Sequence, residues 1–332
     1  MPQLYVGTNG LSVWASRDLG DTLARMGSGM GLYSGSQVWA LAAPPGRSDV
    51  LFAGTNSGLH RLDVAAGRWS HLPSPMDSLL VTALAFSPHD ANVILAGTQP
   101  AGVYRTDDAG ASWRRLDTAM KPYASIGFQG GVTAGAQVKH WCRVTQILFD
   151  PRDPSTAWAG VEIDGAWRSR DGGERWERVA QGFITEDIHG FGTVSGSEPR
   201  LFATTEAGLH ESADGGASWQ FRRLPSDWQY VRSIVERPDE SGVMFLTNGD
   251  GAPGAIGRLW RSRDFGAHWE DAGLPGPVES SLYFLAVNPA DPMLVFAAAT
   301  LGQLYRSTDG GESWIALRRR LSEIRCLVWL PG

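Results

Sequence analysis

The chain has 332 residues, of which 19% are charged and 42% are hydrophobic, and its formal net charge is −6. Its longest run of basic residues is the short stretch 318–320. Nucleic-acid grooves and faces that bind acidic membranes need a basic stripe, so we expect neither kind of partner.

The first residues have neither the basic nor the apolar region of a signal peptide, and no stretch of the sequence is long enough to span a membrane. The two cysteines, Cys142 and Cys326, are too few for a disulfide framework. We therefore expect a soluble, cytoplasmic protein with reduced thiols.

The predicted elements are short strands separated by turns rich in Gly, Pro and Asp. Residues 4–25 contain two strands and a turn, without the strand that precedes such a pair elsewhere. Residues 81–86, 93–98 and 102–105 predict three successive strands, and residues 144–168 and 283–306 repeat this order. Residues 323–329 match the first strand of a repeat. This even spacing is typical of all-β proteins.

One pattern, Ser/Thr-x-Asp-x-Gly-x-x-Trp, follows the third strand of the repeats. Five complete copies begin at Thr106, Ser169, Ser212, Ser262 and Ser307. A copy beginning at Ser16 lacks the Trp, and a decayed copy surrounds Asp63. The aspartates at 18, 63, 108, 171, 214, 264 and 309 are 45, 45, 63, 43, 50 and 45 residues apart. About 40–50 residues is the period of a four-stranded propeller blade.

The sequence therefore predicts one all-β domain over residues 3–330, a closed β-propeller of seven four-stranded blades. The strand at 323–329 supplies the first strand that residues 4–25 lack, so one composite blade joins the N- and C-termini. Closure of this kind removes the sheet edges that would otherwise favour aggregation.

The repeated turn, termed the box turn below, is interpreted as structural. Its aspartate can accept backbone N–H groups of the turn, and its glycine tolerates positive φ. Its Trp is expected to fill the gap between sheets. Because each blade has one such aspartate, these aspartates cannot converge on one substrate.

These copies resemble the Asp-box, or BNR, repeat of sialidases, xyloglucan-degrading glycosidases, sortilin-type receptors and photosystem II assembly-factor propellers. The resemblance covers essentially the whole chain and implies the propeller fold. It leaves function open, because those families include enzymes and non-enzymes. Sialidases usually have six blades and an N-terminal Arg-Ile-Pro element that is absent here, which argues against sialidase activity.

The ligand-binding end of a propeller, termed the mouth below, is where the first strands begin. The second residues of the seven first strands form one predicted ring: Trp39, Thr82, Thr145, His189, Arg232, Tyr283 and Arg325. Arg143 precedes its strand in the same region. Because packing near an axis favours small or apolar residues, the charged members indicate binding of an anionic ligand. A solvated channel balanced by Asp187 and Glu323 is the structural alternative.

Acidic side chains are predicted on one side of the mouth, in neighbouring blades: Glu162, Asp164, Glu186, Asp187 and Glu206. Opposed carboxylates and arginines suit an anionic or sugar-like substrate whose cleavage needs acid–base catalysis. The candidate catalytic residues are His189, Glu162, Glu206 and Tyr283. The candidate substrate-binding residues are Arg232, Arg325, Arg143, Trp39 and His140.

Two insertions interrupt the period. Residues 117–143, with Tyr123, His140 and Trp141, are predicted to form a mouth loop or lid, and residues 249–257 lengthen another mouth loop. A dimer contact or a plug over the channel is the alternative for the longer insertion.

We expect no metal or other cofactor, because the histidines lack a ligand spacing such as His-x-x-x-His. Two functions remain open. The first is a small-molecule-binding propeller acting as a hydrolase, glycosidase-like, or as a lyase on an anionic or sugar-like substrate. The second is a non-catalytic assembly-factor scaffold whose mouth binds a protein partner.

Overall fold

The computed structural model describes residues 2–26, 31–33, 35–127, 137–196 and 200–331. These residues form thirty strands and no helix, which confirms the predicted all-β class. There is accordingly no helix among them that is long and apolar enough to cross a membrane.

The strands are numbered in chain order. The N-terminal part contains β1 (Gln3–Thr8), β2 (Val13–Ser16), β3 (Ala24–Arg25), β4 (Val38–Ala42), β5 (Val50–Thr55), β6 (Gly58–Asp63), β7 (Arg68–Leu72), β8 (Leu80–Phe86), β9 (Ile94–Gln99), β10 (Val103–Thr106), β11 (Arg114–Arg115), β12 (Tyr123–Gly127) and β13 (Gln137–Trp141). The remainder contains β14 (Arg143–Phe149), β15 (Ala157–Glu162), β16 (Gly165–Ser169), β17 (Glu177–Val179), β18 (Ile188–Thr193), β19 (Leu201–Thr205), β20 (Leu209–Ser212), β21 (Gln220–Arg222), β22 (Tyr230–Glu236), β23 (Met244–Gly249), β24 (Gly257–Ser262), β25 (Glu270–Asp271), β26 (Leu282–Asn288), β27 (Asp291–Ala299), β28 (Leu304–Ser307), β29 (Ile315–Ala316) and β30 (Ile324–Leu330).

The described strands form seven antiparallel four-stranded sheets, the predicted blades. From the channel outward, blade I is β30-β1-β2-β3, blade II is β4 to β7 and blade III is β8 to β11. Blades IV to VII are β14 to β17, β18 to β21, β22 to β25 and β26 to β29, and β12 and β13 form a separate hairpin between blades III and IV. The first strands β30, β4, β8, β14, β18, β22 and β26 contact one another in that cyclic order. The ring is therefore closed.

The composite blade has the predicted arrangement. β30 pairs antiparallel with β1, with Leu4 opposite Trp329 and Val6 opposite Leu327. β30 also contacts the first strands of blades II and VII. The last strand therefore completes blade I and closes the ring at the same time.

The hydrophobic core is divided among the interfaces between blades. Trp158 of blade IV packs with Phe191 and Trp219 of blade V, and Phe296 of blade VII meets the ring of Trp329 in blade I edge-on at 5.2 Å between centroids. Each blade is thus held by its two neighbours, as expected when no single sheet can bury its own faces.

The box turns are built as predicted. In blade VII the Oδ1 atom of Asp309 accepts the backbone N–H groups of Glu312 and Ser313 at 3.1 and 2.9 Å, and the Oγ atom of Ser307 accepts the N–H of Gly311 at 2.8 Å. The φ angle of Gly311 is +90°. Burial raises the pKa of Asp309, but the hydrogen bonds from Ser313 outweigh it and hold the pKa at about 2.

The box turns also join neighbouring blades, which the sequence pattern did not reveal. The Arg that precedes the box in one blade donates to a carbonyl in the next box turn, as from Arg105 to Gly172 at 2.6 Å and from Arg306 to Leu19 at 2.6 Å. The box glycine leaves room for a large side chain of the preceding blade: a Cβ on Gly266 would lie 2.7 Å from Phe202. Of the six predicted Trp plugs, Trp69, Trp219 and Trp314 are buried and Trp113, Trp176 and Trp269 are half-buried.

Removal of residues 323–332 should open the ring, because it deletes β30 and leaves β1 as an exposed edge. We expect a broadened, less cooperative thermal transition and an increase in light scattering. Deletion of residues 331–332, which lie beyond β30, is the control and should behave like the parent chain. A melting curve that is unchanged after the longer deletion would contradict ring closure by β30.

Asp309→Ala should destabilise the fold by about 0.5–1.5 kcal/mol, because it removes the carboxylate that accepts two turn amides, which are exposed enough for water to replace it in part. The effect should shrink at low pH, since a carboxylate with a lowered pKa stabilises the fold above its unfolded pKa of about 3.9 and loses this contribution as the pH falls towards 2. Urea unfolding at pH 7 and pH 3 measures both effects. Thr308→Ala, at the exposed neighbouring position, is the control.

Candidate functional site

A β-bulge sets the direction of every residue in the predicted ring. In each first strand one or two residues have no partner in the neighbouring second strand, and the ring residue is one of them. In blade V, for example, Ile188 pairs with Thr205 and Gly190 pairs with Thr204, so His189 between them is unpaired. The other six registers skip in the same way. Because a bulge redirects the extra side chain, all seven ring residues line one inner chamber of the channel.

Three of the ring residues bind the backbone of the next blade. Thr82 donates to the carbonyl of Val144 at 2.7 Å, and Thr145 donates to the carbonyl of Ile188 at 2.7 Å. The Nδ1 atom of His189 lies 2.6 Å from the carbonyl of Val231 in the same manner. These side chains join inner strands. The remaining four, Arg232, Tyr283, Arg325 and Trp39, belong to blades VI, VII, I and II, which are consecutive around the ring.

Two arginines of the channel are paired with carboxylates and stacked on one Trp. The Nε atom of Arg143 lies 2.6 Å from Oε2 of Glu162, and Arg325 forms an ion pair with Glu323. The guanidinium carbons of Arg325 and Arg143 lie 4.1 and 4.9 Å from the ring centroid of Trp39. The π face of Trp39 thus offsets part of the repulsion between two buried cations.

Arg232 has no such carboxylate. Its guanidinium carbon lies 4.5 Å from the ring centroid of Tyr283, and Nη1 donates to the hydroxyl of Tyr230 at 3.3 Å. Within the described part of the chain, no carboxylate lies within 4 Å of Arg232, whereas Arg143 and Arg325 each have one. Arg232 is therefore the channel arginine whose donors are most available to a ligand.

The channel has two connected levels. The inner chamber has a volume of about 160 Å³ and is lined by Trp39, Thr82, Arg143, Thr145, Gln146, His189, Gly190, Phe191, Arg232, Ser233, Ile234, Tyr283, Phe284 and Arg325. The outer mouth has a volume of about 570 Å³ and is lined by Arg143, Glu162, Asp187, His189, Glu206, Tyr230, Arg232, Gly251, Ala252, Pro253, Tyr283, Thr300, Leu301, Glu323 and Arg325. Among the described residues, the chamber lining thus contains three arginines and no carboxylate, and four carboxylates surround the mouth above it.

His189 and Asp187 lie where the two levels meet. The Nε2 atom of His189 is 3.6 Å from Oδ1 of Asp187, and the imidazole is buried. Burial, and then the charge of Arg232, lower the pKa of His189, so the ring is neutral at pH 7. Burial raises the pKa of Asp187, but its positive surroundings, which include Arg232 and Arg143, lower this pKa below its usual range.

Most of the predicted site residues come together here. His189, Tyr283, Arg232, Arg325 and Arg143 line both levels, Trp39 lines the chamber, and Glu162 and Glu206 line the mouth. His140 lies in the β12–β13 hairpin and does not belong to the described lining of either level.

Two acids predicted at the mouth are used elsewhere. Glu186, predicted on the acidic side of the mouth, forms an ion pair with Arg178. Asp164 is buried and accepts the backbone N–H of Lys121 at 2.9 Å, which anchors the segment before the hairpin. Burial raises the pKa of Asp164. The acidic side of the mouth therefore consists of Glu162, Asp187 and Glu206, with Glu323 opposite.

Tyr230, Thr300 and Leu301 also line the mouth and were not predicted from the sequence. Tyr230 opens its first strand one register position before the bulge, and its hydroxyl lies 3.0 Å from that of Tyr283. The lengthened loop at 249–257 was identified, and its residues 251–253 do line the mouth. For the longer insertion, residues 128–136 lie outside the described residues, and its role as a lid stays a prediction.

In the part of the chain that the structure describes, no three His, Cys, Asp or Glu side chains are placed to hold a metal ion. Oxygen ligands are present at the mouth, but Glu162 and Glu323 are bound by arginines. The polar groups of the described mouth lining include arginines, carboxylates, the hydroxyls of Tyr230 and Tyr283, and the imidazole of His189.

Curated proteins with similar sequences are xyloglucanases. The enzyme of Hypocrea jecorina is 24% identical over 284 residues, which cover 70% of this chain and 32% of the relative. The enzyme of a Paenibacillus species is 25% identical over 323 residues, which cover 80% of this chain and 30% of the relative. This chain thus matches about one third of the length of these relatives. No family model matches the chain.

Solved structures share the fold. An ancestral GH74 enzyme superposes with a TM-score of 0.59 at 15% identity, over 97% of this chain and 54% of that one. YCF48 bound to a D1 peptide gives a TM-score of 0.56 at 14% identity, over 85% and 82% of the two chains. The computationally designed Ika8 protein gives 0.60 at 14%, over 97% and 86%. The expected resemblance to xyloglucan-degrading and photosystem II assembly-factor propellers is confirmed.

The geometry of His189 predicts its tautomer. A carbonyl can only accept, so the hydrogen must lie on Nδ1, and Nε2 must be unprotonated while the ring is neutral. Long-range ¹⁵N–¹H NMR should show this tautomer at pH 7.5, and the ring should titrate below the ordinary pKa of about 6.5. The signal is assigned by its loss in His189→Gln. A proton on Nε2 at pH 7.5, or a pKa above 6.5, would refute this description.

Proposed function

We propose that this propeller binds a small ligand through an anionic group, a carboxylate or phosphate, held in the inner chamber by Arg232 and Arg325. The observation that carries this proposal is the lining of the chamber, where the residues that the structure describes include three arginines and no carboxylate. Charged groups taken out of water are costly unless they are paired, and Arg232 has no carboxylate within 4 Å among the described residues. An anionic ligand supplies the negative charge that would pair with Arg232.

Arginine is suited to this role because its planar fork can donate two parallel hydrogen bonds to a carboxylate or phosphate. The aromatic rings of Tyr283 and Trp39 lie against the guanidinium faces of Arg232 and Arg325. The two aromatic residues thereby stabilise the charge of the arginines.

The catalytic form of the proposal is hydrolysis of a sugar-like substrate at the outer mouth. It is supported by the similarity to xyloglucanases and by the carboxylates around the ligand space. A neutral His189, with its Nε2 unprotonated, has the protonation state of a general base. Glu206 lines the mouth and makes no ion pair among the described residues, whereas Glu162 is held by Arg143. We therefore assign Glu206 rather than Glu162 as the second acid–base residue.

A second function is favoured by a separate observation. Eight large hydrophobic side chains of the described residues are exposed, and seven of them lie in segments at the mouth end: Leu11, Tyr33, Tyr123, Trp141, Ile184, Ile256 and Leu301. Exposed apolar residues gathered on one face are typical of protein interaction sites. The structural neighbour YCF48 is bound to a peptide. A scaffold that docks a partner segment over the mouth is thus the alternative, and it would use the same arginines.

Arg232→Lys and Arg325→Lys should each weaken anion binding about tenfold, because a lysine loses the paired, charge-assisted hydrogen bonds of the guanidinium. Isothermal titration calorimetry with inorganic phosphate, malonate and glucuronate measures the affinity, and melting temperatures check the fold. Arg223→Lys, at an exposed arginine that does not line the channel, is the control.

Equal affinities of the parent and both channel variants for all three anions would remove the chamber as the anion site. Release of reducing ends from xyloglucan oligosaccharides tests catalysis, and the activity should be lost in His189→Gln with binding retained. Anion binding without turnover would favour the scaffold function.

A further inference from the structure

Two hydrogen-bond acceptors face each other where the chamber meets the mouth. The Nε2 atom of His189 and the Oδ1 atom of Asp187 are 3.6 Å apart. Nδ1 carries the hydrogen of the neutral ring, because it lies 2.6 Å from the carbonyl of Val231. Nε2 therefore offers a lone pair to Asp187, and a carboxylate oxygen also has only lone pairs to offer. No hydrogen bond can form between these two atoms in this state.

Asp187 Oδ1 is buried and has no hydrogen-bond partner among the described residues. Buried acceptors without a donor are rare in proteins because each costs about 1–3 kcal/mol. The Nε2 atom of His89 differs from that of His189, because it lies 2.8 Å from the backbone carbonyl of Asp150, and a hydrogen on this nitrogen can be donated to that carbonyl. The pair of Asp187 and His189 instead lacks a donor that can reach both acceptors.

The charge of the outer mouth indicates what kind of donor fits. Its lining contains three arginines and the four carboxylates Glu162, Asp187, Glu206 and Glu323. Glu162 and Glu323 pair with Arg143 and Arg325. Asp187 and Glu206 make no ion pair with an arginine or lysine of the described residues. They are also close to each other in the fold, since the N–H of Glu206 donates to the carbonyl of Asp187 at 3.4 Å. This side of the mouth thus has unpaired negative charge.

We propose that the ligand is a small zwitterion of the amino-acid class, with its carboxylate on Arg232 and its primary ammonium group donating to both Asp187 and His189. The inference rests on the proposed function of the same channel and adds the second charged group. An ammonium nitrogen about 2.9 Å from both acceptors can donate to each of them, because it has three hydrogens. A hydroxyl group has one and can satisfy only one acceptor. Water has two hydrogens but brings no positive charge to Asp187 and Glu206.

The chamber and the mouth therefore have complementary charges at two depths. The arginines below bind the anionic end, and the acidic side above binds the cationic end. This arrangement also gives direction to binding, since a reversed ligand would place its ammonium among three arginines and its carboxylate beside Asp187. Like charges at these short distances are strongly unfavourable.

The test is calorimetry at pH 7 with three matched sets of probes. Each set has an ω-amino acid, the ω-hydroxy acid and the unsubstituted acid of one chain length: propanoate, butanoate and pentanoate, so that the spacing of the charges is varied. We expect one amino acid to bind at least about tenfold more tightly than both matched acids. Asp187→Asn should remove this advantage and change the affinity for the unsubstituted acid by less than about twofold.

Asp271→Asn, which neutralises an exposed aspartate of β25 outside the channel, is the matched control and should keep the advantage. Amino acids that bind no more tightly than the matched acids, or an Asp187→Asn variant that retains the advantage, would overturn the zwitterion and leave the anion site intact. If no acid of any set binds and Arg232→Lys has no effect on phosphate, the proposed function itself fails, and the inference with it.

Discussion

The structure depends on how closely seven sheets can approach one axis. Neighbouring blades touch there through small residues of one second strand and an aliphatic residue of the next first strand. A Cβ on Gly97 in blade III would lie 2.5 Å from the side chain of Val144 in blade IV, which only glycine allows. The aliphatic residue is fully buried in all seven first strands: Val38, Val81, Val144, Ile188, Val231, Leu282 and Ile324. Close approach at the axis thus fixes one position of every first strand as part of the core.

The residue after that aliphatic residue does not take part in this close packing. A bulge turns it towards the channel, where packing no longer decides its identity. Thr82 and Thr145 use the position to bond the next blade, and His189 keeps this bond through Nδ1 while Nε2 faces the ligand space. Arg232 and Arg325 give up the bond altogether. The departure from the structural pattern therefore increases around the ring and is greatest on the side where we propose that the ligand binds.

Much of this was predictable because the chain repeats. Seven copies in register identify equivalent positions, and a repeat fold places equivalent positions at equal depth, so the sequence alone assigns Arg232 and Arg325 to the same ring. The pairings could not be predicted in the same way. Glu162 lies directly opposite Arg143 in the β14–β15 ladder and pairs with it, whereas Glu186 precedes β18 and pairs with Arg178 of β17. His140 was assigned to the site on its insertion alone, without a repeat position to support it, and it lies in a separate hairpin.

Arginines have opposite effects on stability at the contacts between blades and in the channel. At the outer ends of the blades, Arg105 and Arg306 each give a donor to a carbonyl of the next box turn, so their charge supports the fold. In the channel, burial lowers the pKa of Arg143 and of Arg325, which means that their charged forms are less stable there than in water. A fold selected for stability alone would replace such residues with apolar ones, since buried charges rarely repay their desolvation. The ring of box turns supplies stability far from the axis, and the channel can then keep arginines and an unsatisfied acceptor pair, whose partners the proposed ligand would supply.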